Sequence, residues 1–370
     1  MLTANSGLCG LWCREPRGRN SGIRTSRVPV ILSGSVAALT AAKLCHVSLT
    51  RPRNGVMSSA GSVSQPLTIL VTGASAGLGL AVCRQLAPQK PRLILAARSP
   101  QRLQQAAAEL ISAGCDVLAV PTDVARSPDL HQLVHAAVQR FGRIDVLINN
   151  AGIECFSEFD ALTETEIEQT IATNLTGAIL LTRLVVPLMK SQRFGRIINM
   201  ASTAGKHGPA YGAVYGATKA GLIAFTQSLR GELSEFGILS TAICPGFATD
   251  GGIYDEIVKA TGRRTPPLLG GTSAGAVARA VVRAIRTAPP ERILNFPALR
   301  PMFLFRDIFP RLGERIILAA TRKFLRRAAL TKTHTHQQTN THTNKHTHKQ
   351  TNKQTHTQTN VQTNKHTNTQ

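Results

Sequence analysis

The sequence predicts an α/β fold: a single doubly wound parallel sheet with helices on both faces. Three features predict it. From Leu67 onward, short apolar runs alternate with longer helix-forming stretches. The runs are continuous rather than alternately polar and apolar, which marks strands buried on both faces, as in a parallel sheet covered by helices. A glycine-rich turn follows the first run directly, where a strand hands over to a helix. Strand–helix alternation of this kind is a chain of βαβ units.

The strands are expected in order at "TILVTG" (68–73), "RLILAA" (92–97), "DVLAV" (116–120), "RIDVLINN" (143–150), "RIINMAS" (196–202) and "STAICPG" (240–246), with "RILNF" (292–296) as one more. Between them lie helix formers that end in glycine, such as "SPQRLQQAAAELISAG" (99–114). The organisation read from this is an extension over 1–65, a single α/β domain over 66–298, a basic, Phe-rich extension over 299–330 and a low-complexity tail over 331–370. A chain of 370 residues has ample material for such a core.

The net charge is +23, and its location matters more than its size. Residues 66–262 hold sixteen Lys/Arg and sixteen Asp/Glu, so the predicted body is neutral. The excess sits in residues 1–65, 263–330 and 331–370, which argues against nucleic acid as a partner, since that reading wants the charge on the folded body. Residues 1–65 are rich in Arg and Ser and carry one acid, Glu15. That is the composition of an organelle presequence, plastid or mitochondrial. A membrane signal anchor at the endoplasmic reticulum and a cytoplasmic extension stay open beside it, because Val28 to Ala42 is apolar but short for a bilayer. Residues 331–370 use almost only Thr, His, Asn, Gln and Lys and bury nothing. The seven cysteines are widely spaced with no CxxC pair, so reduced thiols and no metal site are expected.

"TGASAGLG" (72–79) places glycines at 73, 77 and 79. Such a turn lets the backbone approach a pyrophosphate, whose charge is stabilised at a helix N-terminus by about 0.3–2 kcal/mol. The second run ends in Ala97 and Arg98, where an NAD site typically has an acid on the ribose. A guanidinium there grips a 2′-phosphate, which argues for NADP(H).

"AYGAVYGATKAG" (210–221) holds two of the three tyrosines. On a helix, residues four apart share a face, so Tyr215 meets Lys219 while Tyr211 has no lysine within a turn. An ammonium favours the ionised phenol, and a phenol so tuned passes a proton to a ketone oxygen as hydride arrives. Tyr211 is open between lining the pocket and packing at the helix start. Ser202 ends the fifth run, "NNAG" (149–152) ends the fourth, and "TNLTGA" (173–178) lies in the helix after it.

With these motifs in order, residues 67–255 resemble the short-chain dehydrogenase/reductase family, and within it the NADPH-dependent 3-oxoacyl and lipid-ketone reductases. The resemblance implies a Rossmann fold, with Tyr215 as general acid/base and Lys219 lowering its pKa and binding the nicotinamide ribose. Ser202 would bond the substrate carbonyl, and Asn174 would hold a water leading to Lys219. Gly73, Gly77 and Gly79 would form the phosphate turn, with Ser75 and Arg98 toward the 2′-phosphate. Asp123 would meet the adenine, Asn150 would support the cofactor, and Thr249 of "PGFATD" would reach the nicotinamide amide. One departure is Ala76, where many NADP-dependent members carry a basic residue.

The expected function is NADPH-dependent reduction of a 3-oxoacyl or other lipid-like ketone. The rival is a catalytically silent nucleotide-binding scaffold; the intact set of Asn174, Ser202, Tyr215 and Lys219 favours the enzyme. A homo-oligomer is expected. The stretch 296–327 is rich in Phe and Arg and is cut by Pro301 and Pro310. Three readings are open for it: peripheral membrane contact, a cover over an apolar pocket, and a dimer surface.

Overall fold

The strands form where the apolar runs predict them: β1 (Thr68–Thr72), β2 (Arg92–Ala97), β3 (Asp116–Pro121), β4 (Val146–Asn149), β5 (Gly195–Met200), β6 (Ile238–Pro245) and β7 (Glu291–Leu294). They come from a computed structural model that describes residues 65–154, 156–248, 270–326 and 329. The expected presequence, the low-complexity tail and Thr249 therefore lie outside the described residues. The seven strands make one sheet in the order β3–β2–β1–β4–β5–β6–β7, every neighbouring pair parallel. The order reverses between β1 and β4, and ligands of open α/β sheets bind in the crevice beyond the strand ends at such a point.

Why the runs are continuously apolar is visible in the packing. Successive strand residues face opposite sides of the sheet. Ile69 and Val71 join one core, with Leu93, Leu95 and Ile148; Leu70 joins the other, with Ile94 and Leu147. The first core is closed by α1 (Gly77–Leu86), α2 (Pro100–Ser112) and α7 (Ala274–Thr287). The second is closed by α3 (Ser127–Phe141) and α5 (Gly177–Gln192). Between β4 and α5 runs α4 (Glu164–Ile171), opened by a capping box in which Thr163 and Glu166 bond each other's backbone N–H. Residues 164–192 are long and apolar enough to cross a bilayer by length and composition. Here, however, Leu181, Val185 and Met189 are fully buried against the sheet, so this is a layer helix of the fold.

Boundaries differ from expectation where side chains intervene. β4 begins at Val146 rather than residue 143, because Asp145 is buried and committed elsewhere. Its carboxylate accepts from Thr68 N at 2.9 Å and pairs with the Arg143 guanidinium. β6 starts earlier, at Ile238, and α2 stops at Ser112, before Gly114 turns the chain at φ +85°. At the C-terminal ends of β4 and β5 a buried polar chain ties the strands together: Asn149 donates to Asn199 at 2.8 Å and to Thr182 at 3.0 Å, and Asn199 donates to Thr226 at 2.9 Å. It stiffens the edge from which the site residues project.

After β7 the chain continues as α8 (Arg300–Ile308) and a further helix, α9, over 310–326. Both pack on the sheet body. Phe303, Ile317, Phe324 and Leu325 are buried. Phe324 and Leu325 join Phe156 in a small core against Tyr211 and Phe247, with the Phe247 and Phe324 rings edge-on at 5.7 Å. Arg306 fastens α8 by donating to the Lys206 carbonyl at 2.7 Å, beside His207 Nδ1 at 3.4 Å. Lys206 is itself paired with Glu291 at 2.9 Å.

Candidate active site

β1 delivers the chain into the turn before α1. Gly73 and Gly77 have φ of +66° and +54°, a region that costs glycine nothing. A Cβ on Gly79 would collide with the Gly73 carbonyl oxygen, so the helix approaches the turn this closely only through glycine. α1 starts at an extended Ala76 with no side chain capping its first N–H groups. Those donors are left to a ligand or to solvent, which fits a pyrophosphate. Asn150 fixes the turn from the neighbouring strand: its Nδ2 donates to the carbonyls of Thr72 at 2.9 Å and Gly73 at 3.3 Å. Thr72 Oγ1 in turn accepts the N–H groups of Asn150 and Ala151, both at 3.0 Å. Asn150 thus acts on the turn's shape.

Ser75 is half-buried within the turn. Arg98 is exposed just past β2, and Asp123 stands just past β3, its Oδ1 accepting from Ala125 N at 3.0 Å. Neither Arg98 nor Asp123 lines the cavity described next; they follow β2 and β3, the two strands on one side of β1, along the same edge of the sheet.

Tyr215 and Lys219 lie on α6 (Ala213–Leu233), one turn apart, and both face a cavity of about 580 Å³. Ser202, just beyond β5, faces it too, and so do Gly73, Gly77 and Asn150. The cavity therefore joins the glycine turn to the tyrosine. Ser202 acts to lower the Tyr215 pKa, and its Oγ accepts from Ala204 N at 3.1 Å and donates to the Pro245 carbonyl at 3.4 Å. Lys219 is buried and donates to the Met200 carbonyl at 2.9 Å. Tyr211 is not on this wall. It packs against the Phe156–Phe324–Leu325 core and borders a separate cavity with Phe159, Leu162 and Leu318.

Asn174 sits where the sequence predicted an ordinary helix, but residues Ala172–Thr176 form a π turn. The extra residue in that turn widens the helix locally. The buried Asn174 bonds both main-chain groups of Ile153, which precedes the cavity-lining Glu154. Its Nδ2 also lies 3.3 Å from Thr218 Oγ1, linking the π turn to α6.

The electrostatics correct one expectation. Lys219 was expected to lower the Tyr215 pKa. Desolvation by the surrounding protein instead pushes the phenol well above its ordinary value, the Glu154 charge adds to the rise, and Ser202 opposes it. Lys219 Nζ is 5.6 Å from the Tyr215 ring centre and is engaged by Met200, which accounts for its small influence. Burial pushes Lys219 itself down to about 8, against the raising effect of Glu154 and Cys244. Glu154 thus acts on both groups. Sequence reasoning missed it, since its only signal is its place two residues after "NNAG".

The C-terminal helices form the roof of the cavity, one of the three readings open for 296–327. Leu299, Met302, Phe303, Ile317 and Leu325 line it from α8 and α9, and Phe156 and Phe247 add aromatic walls.

Comparison with known proteins agrees with this geometry. The family model for short chain dehydrogenase matches residues 67–258. The chain is 42% identical over 229 residues to the ketoacyl reductase HetN of Nostoc sp., covering 62% of this chain and 78% of that protein. It is 40% identical over 183 residues to a 3-oxoacyl acyl-carrier-protein reductase of Synechocystis sp., covering 49% of this chain and 74% of that one. Among solved structures, an actinorhodin polyketide ketoreductase variant with NADPH superposes with a TM-score of 0.58 at 30% identity, over 62% of this chain and 95% of the other.

Proposed function

The chain belongs to the short chain dehydrogenase family, oxidoreductases acting on C=O and CH–OH groups, and from that premise we propose that it reduces a 3-oxoacyl or similarly lipid-like ketone with NADPH. The observation that carries the proposal is the shared cavity: Ser202, Tyr215 and Lys219 face the same space as the glycine turn. NADPH, when bound, supplies the hydride. The uncapped start of α1 and the Gly73–Gly79 turn would hold its pyrophosphate, and the exposed Arg98 beyond β2 would bind its 2′-phosphate. The choice of NADPH over NADH is supported by the absence of an acid at Ala97 and by the similar ketoreductase solved with NADPH.

The residues of the chain supply orientation and the proton. Ser202 Oγ and Tyr215 Oη converge on one carbonyl oxygen and fix its position. A phenol raised by its surroundings is fully protonated at neutral pH, so Tyr215 is ready as the donor for reduction. As negative charge develops on the substrate oxygen, the phenolic proton moves to it and the product is a secondary alcohol. Lys219, anchored by the Met200 carbonyl, would hold the nicotinamide ribose of the cofactor, and Asn174 holds the main chain at Ile153 beside the cavity.

The roof and walls favour an apolar substrate, since Phe156, Phe247, Met302, Phe303, Ile317 and Leu325 offer no polar side chain to a headgroup. The test is NADPH oxidation by the purified chain with ketones of graded acyl length. Turnover that rises with chain length supports the reading; turnover confined to small polar ketones overturns the substrate class.

A further inference from the structure

The helical pair α8–α9 has two apolar sides. Its inner side, through Phe303, Ile317 and Leu325, closes the cavity. Its outer side leaves Leu304, Ile308, Leu312 and Ile316 exposed at 62%, 59%, 52% and 48%. Leu304 and Ile308 are one turn apart on α8, and Leu312 and Ile316 are one turn apart on α9. Phe309, 54% exposed, stands beside Phe305 with ring centres 5.2 Å apart. An apolar stripe of this extent is uncommon on a protein surface that meets only water. The rim is cationic. Arg300, Arg311, Arg315, Arg322, Lys323 and Arg326 are exposed. The acids among residues 299–326 are Asp307, neutralised by Arg306, and Glu314.

We propose that this outer face docks on an anionic lipid surface. The charge complementarity selects that occupant. Exposed Leu, Ile and Phe side chains enter the acyl boundary, while arginines with long aliphatic stems reach phosphate groups at the headgroup level. Residues 66–262 are charge-balanced, whereas residues 299–326 carry seven Lys/Arg against two acids. Docking does not depend on the reductase reading. Its consequence does: if the substrate is a lipid-like ketone, the helices that touch the membrane are those that roof the cavity.

The experiment is co-sedimentation of the full chain with phosphatidylglycerol/phosphatidylcholine vesicles and with phosphatidylcholine vesicles, at low and high salt. The basic segments 1–65 and 331–370 are present in every protein tested, so the comparison is between wild type and variants. One variant combines Ile308→Glu with Leu312→Glu, and a second combines Arg311→Glu with Arg315→Glu; all four positions are exposed, and thermal melting checks folding. Wild type is expected to bind the anionic vesicles and to keep part of that binding at high salt. The Ile308/Leu312 variant is expected to bind at least about tenfold more weakly at high salt. The arginine variant is expected to lose binding mainly at low salt. Equal binding by wild type and both variants assigns attachment to the basic segments and overturns the proposal, as does no binding by wild type. If the Ile308/Leu312 variant changes oligomeric state with vesicle binding intact, the face is a contact between copies, and the proposal fails.

Discussion

Asn174 and the main chain of Ile153 hold each other by two hydrogen bonds. The side-chain Oδ1 accepts the Ile153 N–H at 2.7 Å, and Nδ2 donates to the Ile153 carbonyl at 2.8 Å. The pair fastens the π turn to the loop that carries Glu154 into the cavity. Asn174→Ala leaves both backbone groups without that partner. The expected cost is about 1–3 kcal/mol of stability, read by denaturant unfolding, with a fall in kcat as the loop loosens. An unchanged kcat with lowered stability would leave Asn174 purely structural.

Tyr215→Phe removes the proposed proton donor and no group of the glycine turn. Turnover is expected to fall by about 10²–10⁴-fold, while NADPH binding, followed by its fluorescence, stays close to wild type. Tyr211→Phe is the control and is expected to cost little, because Tyr211 faces the Phe156 core rather than the cavity. A loss of only a few-fold for Tyr215→Phe would contradict the assignment.

The pH profile carries a signature of Lys219. The proposed mechanism needs its ammonium, and burial holds it down to about 8, so kcat/KM for reduction is expected to fall as pH rises through about 8. Glu154 raises the Lys219 pKa. Glu154→Gln removes that influence and moves the falling limb to lower pH. A limb that stays in place, or moves upward, refutes coupling between the two. Stability has its own window. Between about 8 and the ordinary lysine value of 10.5, the unfolded chain binds more protons at this residue than the folded one. The Lys219 contribution therefore makes folding more favourable as pH rises through that range, and the burial cost is fully present below it.

Arg98→Ala is expected to weaken NADPH binding by about tenfold to a hundredfold, the loss of a charge-assisted contact, and to leave NADH nearly unaffected. Titrating both cofactors decides it. Equal weakening would show that Arg98, exposed beyond β2, does not read the 2′-phosphate.

Phe303→Ala opens the roof. Removing a buried phenylalanine costs about 3 kcal/mol of stability, seen as a lower melting temperature. Because Phe303 lines the cavity, KM for long-chain ketones is expected to rise by about tenfold with little change for short ones. The same change for both lengths would take Phe303 out of the substrate wall.

By itself the sequence determined the sheet, its parallel strands and the candidate site residues that lie close together along the chain. Strands buried on both faces are apolar at most positions, so β1, β2 and β4 appear as apolar runs. The glycine turn and the Tyr215–Lys219 pair are local, their spacing set by one turn of chain or helix. What only the tertiary structure decided involves residues brought together from afar, or a backbone state that periodicity does not encode. A π turn at Asn174 differs from an α-helix by one hydrogen-bond step, which leaves no mark in the apolar pattern. Burial, set by every packed element at once, raised the Tyr215 pKa against the local expectation from Lys219. Of the three readings open for 296–327, the fold turned α8 and α9 into a roof. Phe303, Ile317 and Leu325 find their apolar partners only across the cavity, in contacts no stretch of sequence contains.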